Sequence, residues 1–159
     1  ILEELREGVQ NALQNTRMVS YKLMPPLLDS LGLAAAVQDY FERLAPKTSV
    51  HFTVEHDDSP ELPHEISYEL FRVIQEFTTN MLKYGEVKIC KVKIYEIQGS
   101  VFINVADDGQ PFDFFRILEK TSGAGLKNIT SRLKVVGATL TQRQMDKGND
   151  FIITLKRKK

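Results

Sequence analysis

A single cysteine, Cys90, in 159 residues excludes an internal disulfide framework and suits a reducing compartment. No run approaches the ~20 apolar residues of a membrane-spanning helix, and no signal peptide is visible. Neither charge sign is in excess: Lys+Arg and Asp+Glu stand at 21 each. The chain therefore has no global field favouring nucleic acid or an anionic membrane. The basic end Lys156-Arg157-Lys158-Lys159 reads as a solvated tail. There are no internal repeats, no low-complexity stretches, no metal-ligand cluster and no Ser/His/Asp triad. What remains is the 42% hydrophobic content of an ordinary globular chain, long enough for one domain with a short appendage. It begins at Ile1 inside a helical pattern, so it is expected to be a piece of a longer protein.

Leu2, Leu5, Val9, Ala12, Thr16, Val19 and Leu23 recur at alternating steps of three and four, a heptad stripe over about three heptads. The stripe fits either a helix packed on its own domain or a dimerisation seam, and a helix from a multi-helix bundle is the preferred reading. Pro25-Pro26 ends it. A second helix is expected over Leu31 to Leu44, capped by Asp29 or Ser30 and closed by Pro46. Val50 to Glu55 alternates as a strand, and a polar loop leads to a long helix from about Pro63 to Tyr84. That helix turns Ile66, Leu70, Ile74, Phe77 and Met81 to the core.

Lys88 to Glu96 and Ser100 to Ala106 form a predicted hairpin about Gln98-Gly99, with Cys90, Val92 and Ile94 on the inner side. Residues 109–124 are expected to be a partly mobile loop. A helix over Gly125 to Val136 and strands Thr139 to Arg143 and Phe151 to Lys156 complete the chain. Strands adjacent in sequence suggest antiparallel pairs. The expected class is α+β, a two-layer sandwich with helices on one sheet face.

Three features carry chemistry. Glu76, Asn80 and Lys83 stand at i, i+4 and i+7 and share one face of the long helix. A carboxylate, an amide and an ammonium there suit a divalent metal and polyphosphate. Asp107-Asp108-Gly109 follows a strand; alone it is a common turn signal. Gly123-Ala124-Gly125-Leu126 precedes a helix, whose N-terminal N–H groups can meet phosphate. Together, in this order, they point to ATP.

The ordered set resembles the ATP-binding domain of sensor histidine kinases, within the GHKL superfamily shared with gyrase and MutL. Phe71 to Tyr84 resembles the N box, Asp107-Asp108-Gly109 the first glycine box, and Gly123 to Leu133 the second. Ser20-Tyr21-Lys22-Leu23-Met24-Pro25-Pro26-Leu27-Leu28, with Gly32-Leu33, is similar to the end of the second dimerisation helix in the nitrate-sensor-like branch. The resemblance implies a Bergerat-type fold with a mixed, mostly antiparallel sheet. It divides the chain into the end of a dimerisation helix, residues 1–26, and a catalytic domain, residues 27–159.

The resemblance also implies roles. Asn80 would give an oxygen to Mg²⁺, Lys83 would neutralise phosphate, Tyr84 would line the site, and Glu76 would order water at the metal and act as a base. Asp107 would accept from the adenine amino group, an acceptor that disfavours guanine. Gly109, Gly123, Gly125 and Leu126 would cradle the nucleotide. Two positions depart from the pattern: Pro111 stands where the first box has its second glycine, and Asn149 stands where a hydroxyl usually lies near adenine.

None of His51, His56 and His64 sits in the context of an acceptor histidine, so the chain is expected to bind ATP and Mg²⁺ without phosphorylating itself. The implied partners are a response regulator and a second copy through the helix at 1–24. The implied location is cytoplasmic, with membrane contact only through other parts of the parent. The same fold also serves anti-sigma-type serine kinases, which lack the helical appendage. A non-enzymatic scaffold with a decayed pocket is the other alternative, which Pro111 permits.

Overall fold

Alternation along four strands decides which side of the sheet is buried. In the computed structural model, which describes residues 1–9, 25–57, 60–121 and 123–157, residues 2–9 are helical (α1) and exposed. There follow α2 (Pro26–Leu44), a 3₁₀ turn (Ala45–Lys47), β1 (His51–His56), α3 (His64–Tyr84), β2 (Ile89–Ile97) and β3 (Ser100–Asp107). The chain continues through α4 (Phe114–Lys120), α5 (Ala124–Val136), β4 (Thr139–Arg143) and β5 (Asn149–Lys156). The sheet order is β1-β2-β3-β5-β4. Cys90, Val92 and Ile94 of β2, Val101, Ile103 and Val105 of β3, and Phe151, Ile153 and Leu155 of β5 are buried. Over this face lie α2, α3 and α5, contributing Val37, Leu70, Phe71, Ile74 and Ile129 to the core. The other face carries Lys91, Lys93, Tyr95 and Asn104, with Glu55 taking Lys91 and Lys93 as ion-pair partners. The α+β sandwich with helices on one side is thus as expected.

Several local expectations change. The second helix, α2, starts at Pro26 and not at Leu31: Pro25 is the extended N-cap and Pro26 the first helical residue, where a missing N–H costs nothing. Whether the dipeptide also ends a first helix lies outside the described residues. The predicted start at Leu31 reflects a real break, because Gly32 leaves helical geometry (φ 82°, ψ −175°) and kinks α2. The stripe from Ala12 to Leu23 lies outside the described residues. β1 pairs with β2 in parallel, since α3 carries the chain back across the sheet between them, while the other pairs are antiparallel. The expected 109–124 loop contains α4, whose first turn is capped by Asp113 accepting from the Arg116 N–H at 3.0 Å. Asn149 opens β5 instead of ending the loop before it.

Candidate functional site

Three chain segments meet at the ends of β3 and β5, and only small residues let them approach. At Gly109 a Cβ would lie 2.3 Å from the Gly85 carbonyl oxygen. At Gly148 it would lie 2.0 Å from the Asp107 carbonyl oxygen, and φ is +75°. The resulting closure is hydrogen-bonded, Gln110 N–H to Gly85 O at 3.0 Å and Gly148 N–H to Gly109 O at 2.9 Å. Asp108 turns away from it and accepts from the Lys88 and Ile89 N–H groups, both at 2.8 Å.

Asp107 stays on the inside. Its Oδ1 accepts from Gly109 N–H at 2.8 Å and from Asn149 Nδ2 at 3.1 Å. Burial pushes its carboxyl above the usual range, against the opposing pull of those two donors. Asn149, 4% exposed, also donates to Gln110 O and accepts from Phe112 N–H, each at 3.0 Å. The position where the family pattern leads one to expect a hydroxyl therefore holds an amide that ties Asp107 to the following segment.

On α3, Asn80 faces the start of α5: a Cβ on Gly125 would lie 3.3 Å from Asn80 Oδ1. Asn80 Nδ2 is buried and has no hydrogen-bond partner among the described residues. Such a group costs free energy unless a ligand meets it. Lys83 is exposed, its ammonium 5.2 Å from the Tyr84 ring centre, and Tyr84 is 70% exposed.

These pieces enclose a cavity of about 480 Å³. It is lined by Asn80, Tyr84, Asp107, Gly123, Gly125, Leu126 and Asn149, all singled out from the sequence. Glu76, Lys83 and Gly109 are not among its lining residues; Gly109 is buried and acts through the close approach just described. The sequence reading missed the apolar walls: Phe77 and Met81 from α3, Val105 and Phe151 from the sheet, and Phe112 and Ile117 from the 110–117 segment. Pro111 lines the same wall. The Phe112-Asp113-Phe114-Phe115 cluster was the available signal for that side.

An apolar slot with an acceptor at its floor, next to a buried amide and a helix N-terminus, suits a flat heteroaromatic base carrying phosphates. Among the described residues no group of three or more His, Cys, Asp or Glu could hold a metal ion. A metal here would rest on phosphate oxygens with little help from protein, as Mg²⁺ commonly does.

No protein-family model matches the chain. Over 152 residues it is 31% identical to the oxygen sensor histidine kinase NreB of Staphylococcus carnosus, covering 94% of this chain and 43% of that protein. Over 156 residues it is 27% identical to the signal transduction histidine-protein kinase/phosphatase DegS of Brevibacillus brevis, covering 97% of this chain and 40% of that one. It thus spans about two fifths of the length of these curated relatives. Among solved structures it resembles the blue-light activated histidine kinase of Erythrobacter litoralis, with TM-score 0.67, 16% identity, and coverage of 77% of this chain and 41% of that one. It also resembles full-length ShkA, solved in complex with AMPPNP, with TM-score 0.61, 20% identity, and coverage of 78% and 29%. The chain is therefore homologous to sensor histidine kinases and carries the fold of their catalytic domains.

Proposed function

We propose that this chain is the ATP-binding catalytic portion of a two-component sensor histidine kinase. The parent would transfer the γ-phosphoryl group of ATP to a histidine outside these residues, and then to an aspartate of a response regulator. The observation that carries this reading is the convergence of Asp107, Asn149, Asn80 and the Gly123–Gly125 loop on one apolar cavity. Asp107 would accept from the adenine amino group, between walls formed by Met81, Phe112 and Phe151. The N-terminal N–H groups of α5 and the unpartnered Asn80 amide would meet the phosphates. The AMPPNP complex of ShkA supports a nucleotide as the ligand.

Mg²⁺, when bound, would neutralise phosphate charge, with the Asn80 oxygen as its protein ligand. Lys83 at the exposed end of α3 would add positive charge at the rim, and Glu76, one turn below Asn80, would serve as base toward the acceptor. Residues 1–26 would belong to the dimerisation helix and residues 27–159 to the catalytic domain. Exposed Leu2, Leu5 and Val9 support a seam with a second copy. No helix among the described residues is long and apolar enough to cross a membrane, and a cytoplasmic location is part of the proposal. The test is Asn80→Ala. It should abolish the Mg²⁺-dependent part of ATP binding in calorimetry while the chain stays folded, and unchanged Mg²⁺ dependence would remove Asn80 from the site.

A further inference from the structure

The segment from Gln110 to Phe112 forms a cavity wall without regular secondary structure, yet side-chain amides from the two adjacent strands hold it. Asn149 of β5 bonds Gln110 and Phe112 as described. The second amide is Gln142 of β4: its Oε1 accepts from Phe114 N–H at 2.9 Å, and its Nε2 donates to Phe112 O at 2.5 Å. Gln142 stands opposite Phe151 in the strand register, while Leu140 stands opposite Ile153. Alternation would put an apolar side chain there. The amide breaks that pattern and spends both its ends on the neighbouring backbone. Gln142 does not line the 480 Å³ cavity; it lies on the far side of the wall, against an open hollow of about 580 Å³ shared with Pro111 and Phe112. What it bonds does reach the site: Phe112 lines the cavity, and Phe114, fully buried, packs against Phe77 at 6.0 Å and Phe151 at 5.8 Å.

We propose that Gln142 is a positioning residue for the nucleotide cavity, fixing through its paired amide bonds the Phe112–Phe114 backbone and hence the wall that Phe112 presents to the base. This rests on the nucleotide-binding reading above. A neutral amide supplies one donor and one acceptor in this arrangement. An ionised carboxylate of the same length keeps the acceptor for Phe114 N–H but sets a second acceptor against Phe112 O. Once protonated, the carboxyl restores the donor, and its position against a carbonyl raises its pKa above the ordinary ~4.3.

The experiment is ATP titration of the full chain and of Gln142→Glu at pH 8 and pH 5, with amide exchange of Phe112 and Phe114 followed without nucleotide. Gln142→Glu should bind ATP on the order of tenfold more weakly than wild type at pH 8, about 1.4 kcal/mol, and the ratio should return toward one at pH 5. Phe114 N–H should exchange faster in the variant at pH 8. Equal affinities at pH 8, or a loss that ignores pH, overturns the proposal. If Gln142→Glu fails to fold, Gln142→Met removes both bonds at similar volume. It should weaken ATP binding equally at both pH values, and wild-type affinity in it would overturn the proposal. A wild-type chain that binds no ATP overturns the nucleotide reading itself, a result distinct from variants that match a binding wild type.

Discussion

Asn149→Ala tests whether one buried amide organises the site. Asn149 hydrogen-bonds three groups, the Asp107 carboxylate, Gln110 O and Phe112 N–H, and is 4% exposed. The two neutral bonds contribute about 1 kcal/mol each and the bond to the carboxylate about 2 kcal/mol. Asp107 keeps some contact with water, and screening brings its bond down to about 1 kcal/mol. The expected loss is therefore about 3 kcal/mol, measured by urea unfolding at pH 7 with linear extrapolation. It corresponds to a fall in Tm of roughly 6–12 °C for a chain of this size.

The pH dependence has a definite sign. Asp107 already titrates above its ordinary value in the folded chain, so its contribution to stability is present at low pH and is lost as pH rises through the folded pKa. Removing Asn149 takes away a donor that pulls this pKa down, and the carboxylate becomes costlier at neutral pH. The destabilisation should accordingly shrink as pH falls through the raised pKa of Asp107, because the protonated carboxyl does not need the donor. A loss below about 1 kcal/mol, or one that grows as pH falls, would refute the reasoning.

Other outcomes follow from the same geometry. Asp107→Asn should remove the discrimination of ATP from GTP while leaving pH 7 stability equal or raised, because a desolvated charge is gone; binding assays and urea melts on the variant check both. Gly148→Ala should destabilise by more than about 2 kcal/mol, since its Cβ would meet Asp107 backbone at 2.0 Å in a left-handed conformation; a chemical denaturation curve close to wild type would contradict this. Cys90, fully buried and with burial pushing its thiol up to about 12, should resist iodoacetamide at pH 8 until the chain is unfolded. Mass spectrometry of the native and urea-treated chain reads that difference.

The elements that were legible in the sequence are those with strong periodicity. The alternation of Cys90, Val92 and Ile94 with Lys91 and Lys93, and the 3.6-residue spacing from Leu70 to Met81, each correspond to one buried face. Pairing is different in kind: alternation says which face of β1 is buried but not which strand lies beside it, so its parallel contact with β2 was not legible. Helix α4 was hidden because Pro111 and the phenylalanine cluster read as loop, although Asp113 sits in a cap position. Within the site, residues on one helix stripe do not all reach one cavity. Glu76 lies about 6 Å below Asn80 along α3, and Lys83 is rotated by about 60° from the Asn80 line, whereas Tyr84 stays close to it. The apolar lining was illegible for a plain reason: Phe77, Met81 and Phe151 obey the same periodicity as the core they extend.

The most direct measurement is calorimetric titration of the 159-residue chain with ATP and with GTP, each with and without Mg²⁺. Saturable binding of ATP, strengthened by Mg²⁺ and well above that of GTP, is the expected result, and it should vanish in Asp107→Ala. Equal binding of ATP and GTP, or no binding of either at millimolar concentration, would contradict the assignment of this cavity to adenine nucleotide.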